Sequence, residues 1–126
     1  MATESTNTQG KSGSGRVVFF VLIAIDGPDL EATHRIGRSE TIVGRDPGAD
    51  VPLADDEVSS QHCAIRCDAG LCHIVDSGSL NGTLINDRPL RRGFAHRLRH
   101  LDEIQIGGTR LLFLAGRFID PPRRDR

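Results

Sequence analysis

Short hydrophobic stretches alternate with polar turns along most of the chain, and no long segment has a helical period. The stretches are rich in Val, Ile, Leu and Phe, and they cover residues 17–25, 33–36, 41–43, 62–67, 71–75, 83–85, 96–98, 104–106 and 110–115. In one of them, strand alternation would place Cys63, Ile65 and Cys67 on the same face. Many short strands without crossover helices predict an all-β fold, in the form of an antiparallel β-sandwich.

The two ends of the chain differ from this middle part. Residues 1–15 are polar, rich in Gly, Ser and Thr, and without periodicity, so they cannot bury enough apolar surface to offset the entropy lost on ordering. We therefore expect a flexible N-terminal arm at 1–15 and one domain at 16–118. Residues 119–126, which include PPRRDR, are expected to form a solvated C-terminal tail.

The composition narrows the range of partners. With 16 basic and 17 acidic side chains the net charge is -1, so no overall field would attract nucleic acid or an anionic membrane. The aromatic residues are five Phe, with no Trp or Tyr, which leaves few platforms for stacking bases. The apolar run at 17–25 is too short to cross a bilayer as a helix, and no signal-peptide cleavage site follows it. We expect no nucleic-acid partner, no membrane partner and a cytoplasmic location.

Cysteine and histidine cluster between residues 62 and 73, so a metal site has to be considered. An odd number of cysteines without a secretory signal predicts reduced thiols at Cys63, Cys67 and Cys72. Cys63 and Cys67 would lie roughly 13 Å apart along one strand, which is too far to share one ion without a bend. Packing as small hydrophobic residues is favoured, and neither a metal nor another cofactor is expected.

The stretch DDEVSSQHC at 55–63 places Ser59 three residues before His62 and raises the possibility of a nucleophile with its base. Such a pair also needs a group that orients the histidine and donors for an oxyanion. Ser59 lies neither in a G-x-S-x-G elbow nor before a predicted helix, so hydrolysis is the least favoured interpretation. We do not expect an enzyme.

Phosphate recognition is the third interpretation of the same loops. Arg45 follows Gly44 at the end of the predicted strand at 41–43, and Ser59 and Ser60 would lie in a loop at the same end of the sheets. A planar guanidinium can bind two phosphate oxygens while hydroxyl and backbone N–H groups bind the others.

Three motifs in order carry a family resemblance: Gly44-Arg45, Ser59-x-x-His62 and Asn81-Gly82. With this spacing the chain resembles the forkhead-associated (FHA) domain family, in particular its small stand-alone bacterial forms, from about residue 17 to 118. The resemblance implies a sandwich of about eleven strands whose loops bind phosphothreonine in a partner protein.

The resemblance also implies roles for individual residues. The phosphate-binding group would be Arg45, Ser59 and Ser60. The peptide-binding group would be Leu80 and Asn81, with the asparagine bonded to the peptide main chain. The structural group would be Gly44, His62 and Gly82, with the histidine bracing two loops and the second glycine permitting a turn.

The chain departs from the family pattern at three positions. Ser60 stands where many members have Arg or Asn, which should weaken phosphate affinity. Leu80 replaces a residue that is often polar, and Leu101 stands where a Gly is usual in a turn remote from the site. In addition, acidic residues at 55–57 should repel an acidic side chain at the third position after the phosphothreonine, so an apolar or basic residue is expected there.

These features predict a phosphothreonine-binding signalling module that acts downstream of a Ser/Thr protein kinase, with the kinase or its substrate as partner. The alternative is a protein-interaction domain that does not need phosphate. Thr3, Thr6 and Thr8 in the arm are candidate phosphorylation sites, and a phosphorylated arm could bind its own domain or a second copy of the chain.

Overall fold

The computed structural model describes residues 16–37 and 39–119, and this part of the chain forms eleven strands and no helix. The strands are β1 (Arg16–Asp26), β2 (Thr33–Ile36), β3 (Thr41–Gly44), β4 (Val51–Pro52), β5 (Cys63–Asp68), β6 (Leu71–Asp76), β7 (Thr83–Ile85), β8 (Arg88–Pro89), β9 (His96–Leu98), β10 (Glu103–Ile106) and β11 (Thr109–Ile119). The predicted all-β fold with about eleven strands is confirmed. The predicted arm lies outside the described residues, and so does the predicted tail apart from Ile119, which ends β11.

The strands form two sheets, with the orders β2-β1-β11-β10-β7-β8 and β4-β3-β5-β6-β9. The predicted antiparallel sandwich is confirmed, with one parallel pair, because β3 and β4 run in the same direction with Val43 opposite Val51. The short loop 45–50 returns the chain alongside β3 in the same direction. The hydrophobic pattern missed β4 and β8, since a strand of two residues is too short to show alternation.

The core lies between the sheets and is filled by alternate residues of the long strands. Phe20 and Leu22 from β1 and Phe113 from β11 are almost completely buried. The rings of Phe20 and Phe113 stack with their centroids 5.7 Å apart. Burying one such side chain stabilises the fold by about 1.5–3 kcal/mol, so the β1–β11 pair contributes a large part of the core. None of the described residues belongs to a helix that could cross a membrane.

The expectation of three reduced thiols was wrong, because Cys67 and Cys72 form a disulfide. These residues face each other across the β5–β6 hairpin, with Cα atoms 4.1 Å apart. The prediction rested on the odd number of cysteines and did not consider the hairpin register that places Cys67 opposite Cys72. Cys63 is a free thiol buried in the core, as expected of a small hydrophobic residue. Burial, followed by the nearby charge of Asp76, raises the pKa of the Cys63 thiol far above its usual range.

Candidate functional site

Three loops meet at one end of the sandwich and are joined through Ser59. We call them the apical loops; they comprise residues 45–50, 53–62 and 77–82. The carbonyl oxygen of Ser59 accepts a hydrogen bond from the Arg45 N–H at 2.9 Å. Its hydroxyl oxygen accepts a second from the Leu80 N–H at 3.0 Å. The three motifs that are separate in the sequence are therefore adjacent in space.

Gly44 ends β3 and lies against the backbone of Ser60. A Cβ atom at position 44 would overlap the carbonyl oxygen of Ser60, so a side chain there would displace the middle apical loop. The same carbonyl accepts a hydrogen bond from the Asp46 N–H at 3.2 Å. Glycine is therefore required at position 44 for space, and the close approach that it permits sets Arg45 beside the two serines.

The side chain of Arg45 is exposed but held in place. Its Nε–H donates to the carbonyl oxygen of Val58 at 2.9 Å. Within the described residues, its two terminal amino groups have no hydrogen-bond or ion-pair partner. A guanidinium fixed at Nε presents its outer edge in one orientation, which is the geometry for binding two oxygens of an anion.

Ser59 and Ser60 present further donors beside this guanidinium. Because the Ser59 hydroxyl oxygen accepts the Leu80 N–H, its own proton remains free to donate to a ligand. The side chain of Ser60 is exposed, and its N–H donates to no group among residues 16–37 and 39–119. The arrangement thus combines a cation, two hydroxyl groups and one backbone N–H, and this set of donors suits a phosphate.

His62 is fully buried and connects two apical loops. Its Nδ1 atom accepts the Ser59 N–H at 3.1 Å, so the ring proton lies on Nε2. From there it donates to the carbonyl oxygen of Gly82 at 2.8 Å. Gly82 has a φ of +86°, a left-handed conformation that glycine adopts without strain. The histidine faces inward, away from the exposed face of Ser59, and is placed as a brace and not as a catalytic base.

Asn81 and Leu80 form the exposed rim of the site. The Asn81 side chain donates from Nδ2 to the carbonyl oxygen of Glu57 at 3.0 Å, which leaves its Oδ1 without a partner in the described chain. A free amide oxygen can accept an N–H from a bound peptide main chain. Leu80 is 82% exposed, so its side chain offers apolar surface to whatever binds there.

Asp55 does not face the ligand side, in contrast to the expectation that it would repel acidic residues there. It is buried, and its carboxylate accepts hydrogen bonds from the N–H of Glu57 and Gly108 and from the Thr109 hydroxyl at 2.9–3.0 Å. Burial raises the pKa of the Asp55 carboxyl, but the hydrogen bonds from Glu57, Thr109 and Gly108 outweigh burial and lower it. Only Asp56 and Glu57 remain exposed for the predicted repulsion.

A second buried carboxylate, Asp76, organises the third apical loop, and the sequence analysis missed it. It accepts hydrogen bonds from the N–H of Gly78 and Ser79 and from the hydroxyls of Ser79 and Thr83, all at 2.7–2.9 Å. Burial raises the pKa of the Asp76 carboxyl, but these hydrogen bonds, led by those of Ser79, lower it overall. The available signal was DSGS at 76–79, because an Asp two or three residues before backbone donors is typical of such a turn.

Comparison with known proteins agrees with this geometry. The profile of the FHA domain family matches residues 41–107, which include all three motifs. This chain belongs to the FHA domain family. Over 96 residues it is 41% identical to the oxoglutarate dehydrogenase inhibitor of Corynebacterium glutamicum, and 38% identical to the glycogen accumulation regulator GarA of Mycolicibacterium smegmatis.

The matched part is 76% of this chain but only 65% and 59% of the length of those two relatives. Among solved structures, an FHA domain studied for its phosphothreonine-dependent interactions is similar, with a TM-score of 0.69 and 28% identity. That match covers 76% of this chain and 95% of the other. FHA domains are binding modules, and the curated relatives carry the names of regulators.

Proposed function

We propose that this protein binds phosphothreonine-bearing segments of other proteins downstream of a Ser/Thr protein kinase, in the cytoplasm and without catalysing a reaction. Arg45, Ser59 and Ser60 would bind the phosphate. Leu80 and Asn81 would contact the peptide. A phosphothreonine carries a charge of about -1.5 to -2 at neutral pH and three acceptor oxygens, which match the donors of the apical loops.

One observation carries this proposal: the Arg45 guanidinium is held at Nε while both of its terminal amino groups lack a partner among the described residues. An arginine with only a structural role would use its outer edge to bind a carboxylate or a carbonyl group. The Arg45 N–H is bonded to the carbonyl oxygen of Ser59, and among the described residues the hydroxyl proton of Ser59 and the N–H of Ser60 have no acceptor. We infer that these donors are preorganised for an anion with several oxygens.

The relatives support the same proposal and suggest a class of partner. Proteins named oxoglutarate dehydrogenase inhibitor and glycogen accumulation regulator are similar to this chain over its domain. We therefore propose a regulatory role toward a metabolic enzyme, with a 2-oxoglutarate dehydrogenase as the first partner to test. The ligand should have an apolar or basic residue three positions after the phosphothreonine, since Asp56 and Glu57 are exposed beside the site.

The test uses one peptide, selected from an oriented phosphopeptide library, in four versions with pThr, pSer, Thr or Glu at the central position. Calorimetry should show binding of the pThr version and about fourfold weaker binding of pSer, because one buried methyl contributes roughly 0.8 kcal/mol. Thr and Glu versions should not bind. Arg45→Ala should weaken pThr binding at least about tenfold, since a hydrogen bond to a charged group contributes roughly 1.5–3 kcal/mol.

Arg117→Ala serves as the matched control, because Arg117 is exposed on β11 and lies far along the chain from the apical loops. Equal binding of the pThr and Thr versions, or unchanged binding by Arg45→Ala, would show that the domain recognises its partner without phosphate. Release of phosphate or peptide cleavage by the wild type, abolished in Ser59→Ala, would show an enzyme instead.

The arm supplies a related proposal, although it lies outside the described residues. We propose that a kinase modifies Thr3, Thr6 or Thr8, and that the modified arm occupies the apical loops of the same chain or of a second copy. Mass spectrometry after kinase treatment should detect an arm phosphate, and Arg45→Ala should prevent the resulting compaction or dimerisation. An unmodified arm would refute this proposal.

A further inference from the structure

A strongly basic segment runs from β8 to just beyond β9, outside the three apical loops. Residues 88–100 contain five Arg and two His but no Asp or Glu, although the chain as a whole has a net charge of -1. None of these five arginines forms an ion pair with a described carboxylate. About a third of the Lys and Arg side chains therefore lies in about a tenth of the sequence, with no acidic residue among them.

Part of this segment lines a cleft at the open side of the sandwich. Strands β8 and β9 are the edge strands of the two sheets, and a cavity of about 690 Å³ lies between them. The cations that line it are Arg88, Arg91 and Arg99, and its apolar surface includes Pro89 and Phe94. The volume is within the range of typical ligand pockets, about 300–1,000 Å³. We call this cavity the edge cleft.

The basic side chains that line the edge cleft come from separate segments of the chain. Arg91 lies in the turn closed by the Phe94 N–H and the Arg91 carbonyl oxygen, and the next residue, Arg92, contacts the carbonyl oxygen of Leu80 at 3.4 Å. Arg99 comes from the segment that follows β9, where its N–H donates to Asp102 at 2.7 Å. Several cations on separate segments suit an extended chain with several carboxylates better than one small anion.

The edge cleft also has an exposed ring. Phe94 is 55% exposed, and the Arg91 guanidinium stacks on it at 4.3 Å from the ring centroid. One carboxylate lines the cleft, that of Asp102, and it accepts hydrogen bonds from the Asn86 side chain at 2.9 Å and from the Arg99 N–H. With three arginines against this one carboxylate, the cleft combines an excess of positive charge with an exposed apolar surface.

We propose that the edge cleft is a second binding site, which takes an acidic peptide segment with Asp or Glu on both sides of an apolar residue. The carboxylates would bind the arginines that line the cleft, and the apolar side chain would pack on Phe94. This site is independent of phosphothreonine binding. If the proposed function also holds, the contact between Arg92 and Leu80 makes the two sites neighbours, so one partner chain could occupy both.

The probe is a fluorescein-labelled peptide of repeated Glu-Leu-Glu units, without phosphate, titrated with the full chain and followed by anisotropy. The double variant Arg91→Glu, Arg99→Glu should weaken its binding at least about tenfold, because two charge pairs become repulsive. Arg97→Glu is the matched control, since Arg97 lies on β9 two residues before Arg99 but does not line the cleft; it should weaken binding less than about threefold. Arg45→Ala should have no effect.

Three outcomes would overturn the proposal: no peptide binding up to about 1 mM, equal binding of a peptide with Gln in place of Glu, or equal weakening by the double variant and by Arg97→Glu. Charged residues on edge strands can also prevent the sheets of two molecules from associating. If the double variant bound the peptide as wild type does but self-associated more, preventing association would be the only role of these arginines. A single-stranded oligonucleotide of matched charge that binds more tightly than the peptide, and loses binding in the double variant, would identify nucleic acid as the ligand instead.

The folding of each variant is checked by its thermal unfolding midpoint, which should stay close to wild type because the substituted side chains are exposed. Phe94→Ala, which removes the ring without changing charge, should weaken binding of the Glu-Leu-Glu peptide but not of a peptide with Gly in place of Leu. The proposed phosphothreonine site is tested separately, by the loss of pThr-peptide binding in Arg45→Ala. Either proposal can therefore fail while the other holds.

Discussion

Replacing His62 with Ala removes the side chain that joins the middle and third apical loops. The imidazole is fully buried and makes two hydrogen bonds, accepting the Ser59 N–H at 3.1 Å and donating to the Gly82 carbonyl at 2.8 Å. In the Ala variant both backbone groups lose their partner, and a cavity the size of the ring opens between the loops.

The magnitude follows from these contacts. Each buried backbone group left without a hydrogen bond costs about 1–3 kcal/mol, and the ring also loses its packing. We therefore expect His62→Ala to lower the free energy of unfolding by about 3–5 kcal/mol, a large fraction of the roughly 5–15 kcal/mol typical of a domain. Urea unfolding followed by circular dichroism measures this difference.

Two further variants separate the two hydrogen bonds. Asn at position 62 can place its oxygen near the position of Nδ1 and keep the Ser59 bond, while Gln can place its amide nitrogen near the position of Nε2 and keep the Gly82 bond. Both should be less destabilised than His62→Ala. His62→Asn should also retain more phosphopeptide binding than His62→Gln, because Ser59 belongs to the proposed phosphate site. His34→Ala, a change at a half-buried histidine on β2, should cost less than about 1 kcal/mol.

A loss below about 1 kcal/mol in His62→Ala would refute the bracing role, since it would mean that water or loop movement satisfies both backbone groups. Equal peptide binding by the Asn and Gln variants would refute the assignment of separate tasks to the two ring nitrogens.

Three other predictions concern the fold. Because the pKa of the Asp76 carboxyl is lowered in the folded state, the contribution of Asp76 to the free energy of unfolding is complete above the unfolded pKa of about 3.9 and is lost as the pH falls through the folded pKa. Asp76→Asn should therefore lower the free energy of unfolding at neutral pH and make it depend less on pH in the acid range. Gly44→Ala should lower the free energy of unfolding by roughly 1–3 kcal/mol, because the new Cβ overlaps Ser60, and it should also weaken phosphopeptide binding. Gly48→Ala is the control: the nearest atom to a new Cβ there is at 3.5 Å, so its thermal unfolding midpoint should stay close to wild type. Thiol titration of the denatured, non-reduced chain should find one free thiol, Cys63, and a count of three would contradict the disulfide.

The apical loops were largely predictable because each motif has its own local signal. Gly44-Arg45 ends a hydrophobic stretch, and Asn81-Gly82 is a turn pair, so the predicted loops and the observed loops coincide. The prediction that Arg45 lies close to Ser59 rested on the motif spacing of the family. The sequence around either residue does not show which strands end next to each other in space.

Contacts between distant strands were not predictable in the same way. The inward orientation of Asp55 depends on Gly108 and Thr109, more than fifty residues away, and a run of three acidic residues gives no sign that one of them is buried. Likewise the Cys67–Cys72 pairing depends on hairpin register. The edge cleft depends on sheet order, because β8 and β9 are neighbours only as the free edges of two different sheets.

The hydrogen bonds among the apical loops form when the chain folds, before any ligand is present. The entropy lost in ordering these loops therefore belongs to the folding equilibrium and does not reduce the affinity for a phosphopeptide. Affinity and stability are linked as a result: a substitution that loosens the loops weakens binding without touching the ligand. In return, a saturating phosphopeptide should raise the unfolding free energy by RT ln(1 + [L]/Kd), about 2.7 kcal/mol at a hundred times Kd.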